Sequence, residues 1–271
     1  MPVITVSRGT YSGGREFAEC VAARMSVPCL SREILVEAAE KFGVPEQILA
    51  EALRKPPSVF QRFSRQRNTY LAFVRAMLLQ HAAQGSFVYH GHAGHLLLTD
   101  VVNIIRVRIV APMSYRIPAA MKRLSIDEKK AIAHIEKVDR EREKWVRFLY
   151  NAQWQDPSLY DLVINLDQLS VEEACDMVFT MTGFRRFAWT EESRRKVADI
   201  ALASLVVAEL AKDDRTRGSA LDVSSRSGIV TIRGTVGIRE VFDAVPGIAR
   251  GVPGVAEVHC DISLQPDIVP D

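Results

Sequence analysis

The chain has 271 residues, 48% hydrophobic and 25% charged, a composition that excludes a disordered or fibrous polymer and fits about two globular domains. The net charge of +2 does not call for a nucleic-acid partner, and none is expected. The charge is uneven, however. Residues 1–189 carry 25 Lys/Arg against 20 Asp/Glu, whereas residues 190–271 carry 10 against 13, so the first part suits an anionic ligand such as a nucleotide.

The first predicted elements are a strand, a glycine-rich turn and a helix, in "VITVSRGTYSGGREFAECVAARM" (3–25). Phe17, Val21 and Met25 recur at i, i+4 and i+8, which gives the helix one apolar stripe to lay on a sheet. Helices are predicted near Arg32–Phe42 and Glu46–Leu53, stopped by Gly43 and by Pro56-Pro57, and a third at 67–84. "SFVYHG" and "NIIRVRIVA" read as strands. Ser125 with Glu128, and Ser170 with Glu173, fit the S-x-x-E capping box ahead of a long helix and a later one, with the strand "YDLVINL" between. Such alternation predicts an α/β parallel sheet with helices on both faces.

After about Arg186 the pattern changes. A helix near Glu191–Ala211 precedes two alternating strands, "ALDVSS" and "GIVTIRG", joined by a turn in which Gly228 supplies a positive φ. A second helix carries Val241, Phe242 and Val245, with Pro246 expected to disturb its regularity. In the final strand Val258, Cys260, Ile262 and Leu264 are expected to line one face. Domains are accordingly expected at 1–186 and 191–265, with a linker at 187–190 and a tail at 266–271.

Cys20, Cys29, Cys175 and Cys260 form no CxxC pair, which predicts neither disulfides nor zinc and fits a reducing cytoplasm. The longest largely apolar stretch, Ile200–Ala208, interrupted only by Ser204, falls far short of the roughly 20 residues that span a bilayer, and the N-terminal stretch has no leader-like pattern. His90, His92 and His95 lack a nearby Cys or carboxylate to complete a tetrahedral site, so no metal is expected there. The basic aromatic run Phe60–Arg67 reads as a solvated helix with two buried phenylalanines.

Glycine-rich turns between a strand and a helix hold phosphates because bare N–H groups and the helix dipole face the anion. Gly9 and Gly14 satisfy the glycines of G-x-x-x-x-G-K-[ST], but Arg15 and Glu16 occupy the Lys and Ser/Thr positions, and a register one residue earlier puts Gly14 at the lysine. Neither register supplies the usual hydroxyl for Mg2+. Asp139 and Arg142 lie i, i+3 on one predicted helix, so the carboxylate could hold the guanidinium in position.

Five collinear segments resemble the cytidylate kinase-like family of P-loop proteins: "SRGTYSGGRE", "SREIL" at 31–35, "RIVAPMSYR" at 108–116, "VDRER" at 138–142 and "YDLVINLDQLSVEEA". The resemblance implies a P-loop kinase-like domain, ATP and Mg2+ as cofactors, and phosphoryl transfer to a nucleoside monophosphate. It places Arg8, Gly9, Ser12, Gly13, Gly14, Arg15, Glu16, Arg116 and Asp139 at the phosphates and gives Arg15, Arg140 and Arg142 the catalytic cations. Ser31, Arg32, Gly91, His92 and Asp161 become candidates for the acceptor pocket. Ser31 stands where the family carries an aspartate, and Gly91-His92-Ala93 replaces its G-R-D-like motif, so cytidine recognition in particular is not implied. The region 191–265, through "SGIVTIRGTV" and "GVPGVAEVHCDISL", resembles a BON domain. That implies a small α+β module for a small-molecule or lipid ligand. Alternatively, the first domain senses a nucleotide without transferring phosphate and the second reports to a partner.

Overall fold

The computed structural model describes residues 1–54, 62–91 and 93–265. The Pro56-Pro57 stop, His92 and the expected tail at 266–271 lie outside the described residues, as do the side chains of Phe60–Arg67.

Five strands, β1 (Val3–Arg8), β2 (Cys29–Leu30), β3 (Val88–Tyr89), β4 (Ile104–Val110) and β5 (Leu162–Asn165), form a sheet in the order β2-β3-β1-β4-β5. All its pairings are parallel. The helices are α1 (Gly14–Met25), α2 (Glu33–Phe42), α3 (Glu46–Arg54), α4 (Arg62–Gln84), α5 (Gly94–Leu97), α6 (Met113–Leu124), α7 (Glu128–Tyr150) and α8 (Val171–Thr182). Side chains alternate along a strand, so β1 divides its residues between two layers. Ile4 and Val6 join Ile105, Val107 and Ile109 of β4 in an apolar core closed by Phe17 and Val21 of α1 and by Ala174 and Val178 of α8. Thr5, Ser7 and Arg108, at the alternate positions, are also buried, so the second face of the sheet is polar.

The chain divides into two compact units, the first containing Met1–Ile34 and Gly85–Trp189, the second Leu35–Ala52, residues 62–84 and residues 190–265. The helices between Leu35 and Gln84, expected in the first domain, therefore group with the second unit. The reason is packing: α4 lies along α9 (Glu191–Lys212), with Phe73, Val74, Leu78 and Ala82 of α4 and Val197, Ala201, Leu205 and Ala208 of α9 buried. Each large apolar side chain so covered contributes roughly 1.5–3 kcal/mol. The remaining elements of this unit are β6 (Leu221–Arg226), β7 (Ile229–Val236), α10 (Arg239–Arg250) and β8 (Glu257–Leu264). β7 pairs antiparallel with β6 and parallel with β8. Ser227 (φ 51°) and Gly228 (φ 85°) both turn left-handed in the two-residue hairpin.

Two local expectations are corrected. Ser125 does not cap α7: it adopts φ 54° and closes α6, and Asp127 caps α7 by accepting from the Lys130 N–H at 2.8 Å. The Ser170–Glu173 box does form, with both reciprocal bonds. α10 continues through Pro246, which removes one helix donor without ending the helix. In β8, Val258, Cys260, Ile262 and Leu264 alternate onto one face as expected, with Val258 and Ile262 half-buried and Cys260 and Leu264 exposed.

Candidate functional site

The carboxyl end of β1 leads through Gly9–Gly13 into α1, as the strand–turn–helix pattern requires. Gly13 is the residue before the helix and has φ 78°. A Cβ there would stand 2.8 Å from the Tyr115 hydroxyl and 2.9 Å from Leu166 Cδ1, so both backbone and space demand glycine. Gly14 lets Arg8 fold close over the start of α1, since a Cβ on it would fall 2.6 Å from Arg8 Cβ. Ser12 is buried and its hydroxyl donates to the carbonyls of Gly9 (3.0 Å) and Ile109 (3.3 Å). It ties the loop to β4.

Thr10 is the residue of this loop on which the α6–α7 hairpin converges. Its N–H and its hydroxyl both donate to Asp139 Oδ1, at 3.0 and 2.7 Å. Arg116 Nε donates to the Thr10 carbonyl at 2.7 Å, and Arg116 Nη2 pairs with Asp139 Oδ2. Arg142 Nη1 reaches the Arg8 carbonyl (3.2 Å) and Thr10 Oγ1 (3.1 Å), and lies 3.7 Å from Asp139 Oδ1. The structure thus brings Arg8, Gly9, Arg116, Asp139 and Arg142 together around the loop. The i, i+3 spacing correctly put Asp139 beside Arg142, but the carboxylate makes its short contacts to Thr10 and Arg116.

Other expected residues stand apart. Arg15 is half-exposed and pairs with Glu19 one turn along α1 at 2.8 Å. Glu16, also exposed, sits in the first turn of α1, where its charge favours the Arg8 cation against the burial that lowers the Arg8 pKa. Arg140 pairs with Glu136 on the exposed side of α7 at 3.2 Å. Ser31 donates its N–H to Glu33 Oε2 at 2.7 Å, ahead of α2, with Arg32 exposed beside it. Gly91 lies against the Tyr89 phenol. Asp161 is placed at the start of β5, where its carboxylate accepts from the Arg106 N–H at 2.8 Å; this is the end of the sheet opposite the loop, because strand carboxyl ends carry the loop and β5 runs parallel to β4.

The polar face of the sheet was not legible as a site. Arg108 donates to the Trp154 carbonyl (2.8 Å) and lies 3.3 Å from the Tyr160 hydroxyl, with its guanidinium 4.4 Å over the Trp154 ring. Trp154 Nε1 donates to Ser7 Oγ at 2.9 Å. His90 Nδ1 lies 3.3 Å from Arg8 Nη2; burial first, and then the Arg8 charge, depress its pKa to about 4. His95, whose ring packs tilted against Tyr160 with centroids 4.8 Å apart, is pushed down to about 3 by burial and by Arg108. The available signal was a buried-strand pattern interrupted by charge, "IIRVRIV". Thr10 had none, since it occupies an unspecified x of G-x-x-x-x-G.

The second unit holds a cavity of about 250 Å³ whose walls include Thr69 and Ala72 of α4, Val207 and Leu210 of α9, and Thr216 and Leu221. Among the described residues, none that lines it is charged. No described helix is long and apolar enough to cross a membrane.

The parallel sheet, the glycine-rich loop at the end of β1 and the arginine-bearing helical hairpin above it define a P-loop kinase-like fold, followed by a small mixed three-stranded module. The chain belongs to the cytidylate kinase-like family, whose model matches residues 3–168, and a BON domain matches residues 198–266. It is 28% identical over 194 residues to a cytidylate kinase of Pyrobaculum islandicum, covering 68% of this chain and 97% of that one. It is also 28% identical over 181 residues to a cytidylate kinase of Staphylothermus marinus, covering 66% and 94%. Among solved structures, an uncharacterized protein from Eubacterium ventriosum superposes with a TM-score of 0.55 at 23% identity, over 68% of this chain and all of that one.

Proposed function

We propose that the chain is a phosphotransferase that moves a phosphoryl group from ATP to a nucleoside monophosphate. The observation that carries this reading is the convergence of Arg116 and Arg142 on Thr10 of the glycine-rich loop. Phosphoryl transfer spreads negative charge over the equatorial oxygens and is catalysed chiefly by positioned cations. Arg8, Arg116 and Arg142 supply such cations at the loop, and Arg15 joins them by leaving Glu19. Arginine presents a planar fork rather than the point charge of lysine, so the missing lysine changes the geometry of contact without removing the charge.

The residues present fit Mg2+ through Glu16, an exposed oxygen donor at the position that ordinarily carries the metal-binding hydroxyl. Mg2+ keeps most of its waters and takes one or two carboxylates together with phosphate oxygens. Bound there, it would neutralise charge on the transferring phosphates. Ser12 is unsuited to this role because its side chain is buried, with the hydroxyl turned toward the Gly9 and Ile109 carbonyls.

The uncharged cavity of the second unit favours a small, largely apolar ligand for the BON domain, separate from the nucleotide. A second reading, nucleotide sensing without transfer, is favoured by the pairing of Arg15 with Glu19. A coupled assay with Mg-ATP and CMP, dCMP, UMP or AMP decides between the two. Turnover of one acceptor supports the phosphotransferase; ATP binding by folded protein without turnover of any of them rejects it in favour of the sensor.

A further inference from the structure

Bare N–H groups of a loop after a strand are the donors that hold phosphates in this architecture. Here the Thr10 N–H is already taken, by a carboxylate 129 positions later in the chain. Asp139 also accepts from the Thr10 hydroxyl and pairs with Arg116, and Arg142 stands 3.7 Å from it. One anion is therefore surrounded by a backbone donor, a hydroxyl and two guanidinium groups, the set that would surround a phosphoryl oxygen. The Asp139, Arg116 and Arg142 side chains are only 22%, 13% and 25% exposed, so water screens the arrangement weakly. A phosphate can accept from the same donors and carries more negative charge than the carboxylate.

We propose that in the ligand-free protein the Asp139 carboxylate stands in for a ligand phosphate, and that a phosphoryl group binds the Thr10 N–H, Arg116 and Arg142 by displacing it. The inference rests on the phosphotransferase reading and specifies its binding step. Asp139 then acts as a built-in competitor, and the measured affinity is the intrinsic affinity reduced by the fraction of molecules in which Asp139 has left the loop. This differs in sign from a purely positioning role. A residue that only holds Arg116 and Arg142 for the ligand strengthens binding; a competitor weakens it.

The test is calorimetric titration of the full chain and of Asp139→Asn with inorganic phosphate, ADP and ATP. Displacement is expected to appear as tighter ADP binding in Asp139→Asn, by about tenfold, equivalent to about 1.4 kcal/mol. Equal or weaker binding in the variant overturns displacement while leaving the phosphotransferase reading standing. Absence of binding to either protein overturns both. To keep the test independent of how well the variant folds, the amide resonance of Thr10 is also followed in the unaltered chain. Bound ADP is expected to shift it, and a Thr10 resonance unmoved at saturating ADP overturns the proposal.

Discussion

Arg8 Nη2 and His90 Nδ1 lie 3.3 Å apart at the carboxyl edge of the sheet, a contact that is favourable only while the imidazole is neutral and accepts from the guanidinium. Burial and the Arg8 charge hold the His90 pKa at about 4, and burial with Arg108 holds that of His95 at about 3. In the unfolded chain both titrate near 6.5, so between these folded values and 6.5 the unfolded state binds more protons. Stability is thus fully present above pH 6.5 and declines as pH falls, by up to about 1.4 kcal/mol per pH unit for each histidine. Urea unfolding between pH 7.5 and 4.5 is expected to show this decline. It should be shallower in His90→Asn/His95→Phe, which keeps an acceptor for Arg8 and an aromatic ring on Tyr160; an unchanged slope would show that other groups govern it.

Gly13→Ala is expected to destabilise the chain by about 2–3 kcal/mol. Part of that is the left-handed backbone, about 1–2 kcal/mol for a residue with a Cβ. The remainder comes from the close approach of Tyr115 and Leu166. Gly43, at φ 68° and with nothing within 4 Å of the place a Cβ would take, isolates the backbone contribution. Gly43→Ala should therefore cost only about 1–2 kcal/mol, and chemical denaturation of both variants measures the difference. Equal losses would remove the steric argument for Gly13.

What could be read from the chain depended on how local each determinant was. The stripe Phe17, Val21, Met25 and the Ser170–Glu173 box act within a few residues, and both form as expected. Ser125 matched the same box but lost to Asp127, because Ser125 is used to close α6 and the residue directly ahead of α7 is Asp127. The nearness of Asp139 to Arg142 was legible from helix spacing, yet its bonds to Thr10 and Arg116 depend on how the α6–α7 hairpin meets the loop. The position of Asp161 depends on the register of β5 against β4, which no local pattern specifies. The family segments order these pieces along the chain but not in space.

The pairing of Arg15 with Glu19 separates stability from binding. Both side chains are about half exposed, so Arg15→Ala should change stability by less than about 1 kcal/mol. If Arg15 joins the phosphates, ADP affinity should fall by about tenfold in the same variant, against a loss of at least that size in Arg142→Ala, which removes the contacts to Arg8 and Thr10. Calorimetry checks both. Unchanged ADP affinity in Arg15→Ala would leave Arg15 a surface residue and assign the cationic role to Arg8, Arg116 and Arg142.

Arg108 offers a test in which the conservative replacement should be the damaging one. Its guanidinium is buried, donates to the Trp154 carbonyl and sits 4.4 Å over the centroid of the indole. A lysine keeps the charge but is more strongly hydrated and cannot stack as a plane while donating in the same direction. Arg108→Lys should therefore lose about 2–3 kcal/mol, the cost of an incompletely satisfied buried charge. Methionine brings no charge to bury and retains contact with the rings. It does not orphan the Trp154 carbonyl either, because the Tyr160 hydroxyl also donates to that oxygen at 2.9 Å. Replacing a buried ion by an apolar side chain of similar length is often close to neutral when its partners keep other bonds. The expected order of stability in urea is Arg108, then Arg108→Met within about 1–2 kcal/mol, then Arg108→Lys. A lysine variant more stable than the methionine variant would mean that the charge itself, rather than the planar fork, holds this face of the sheet together.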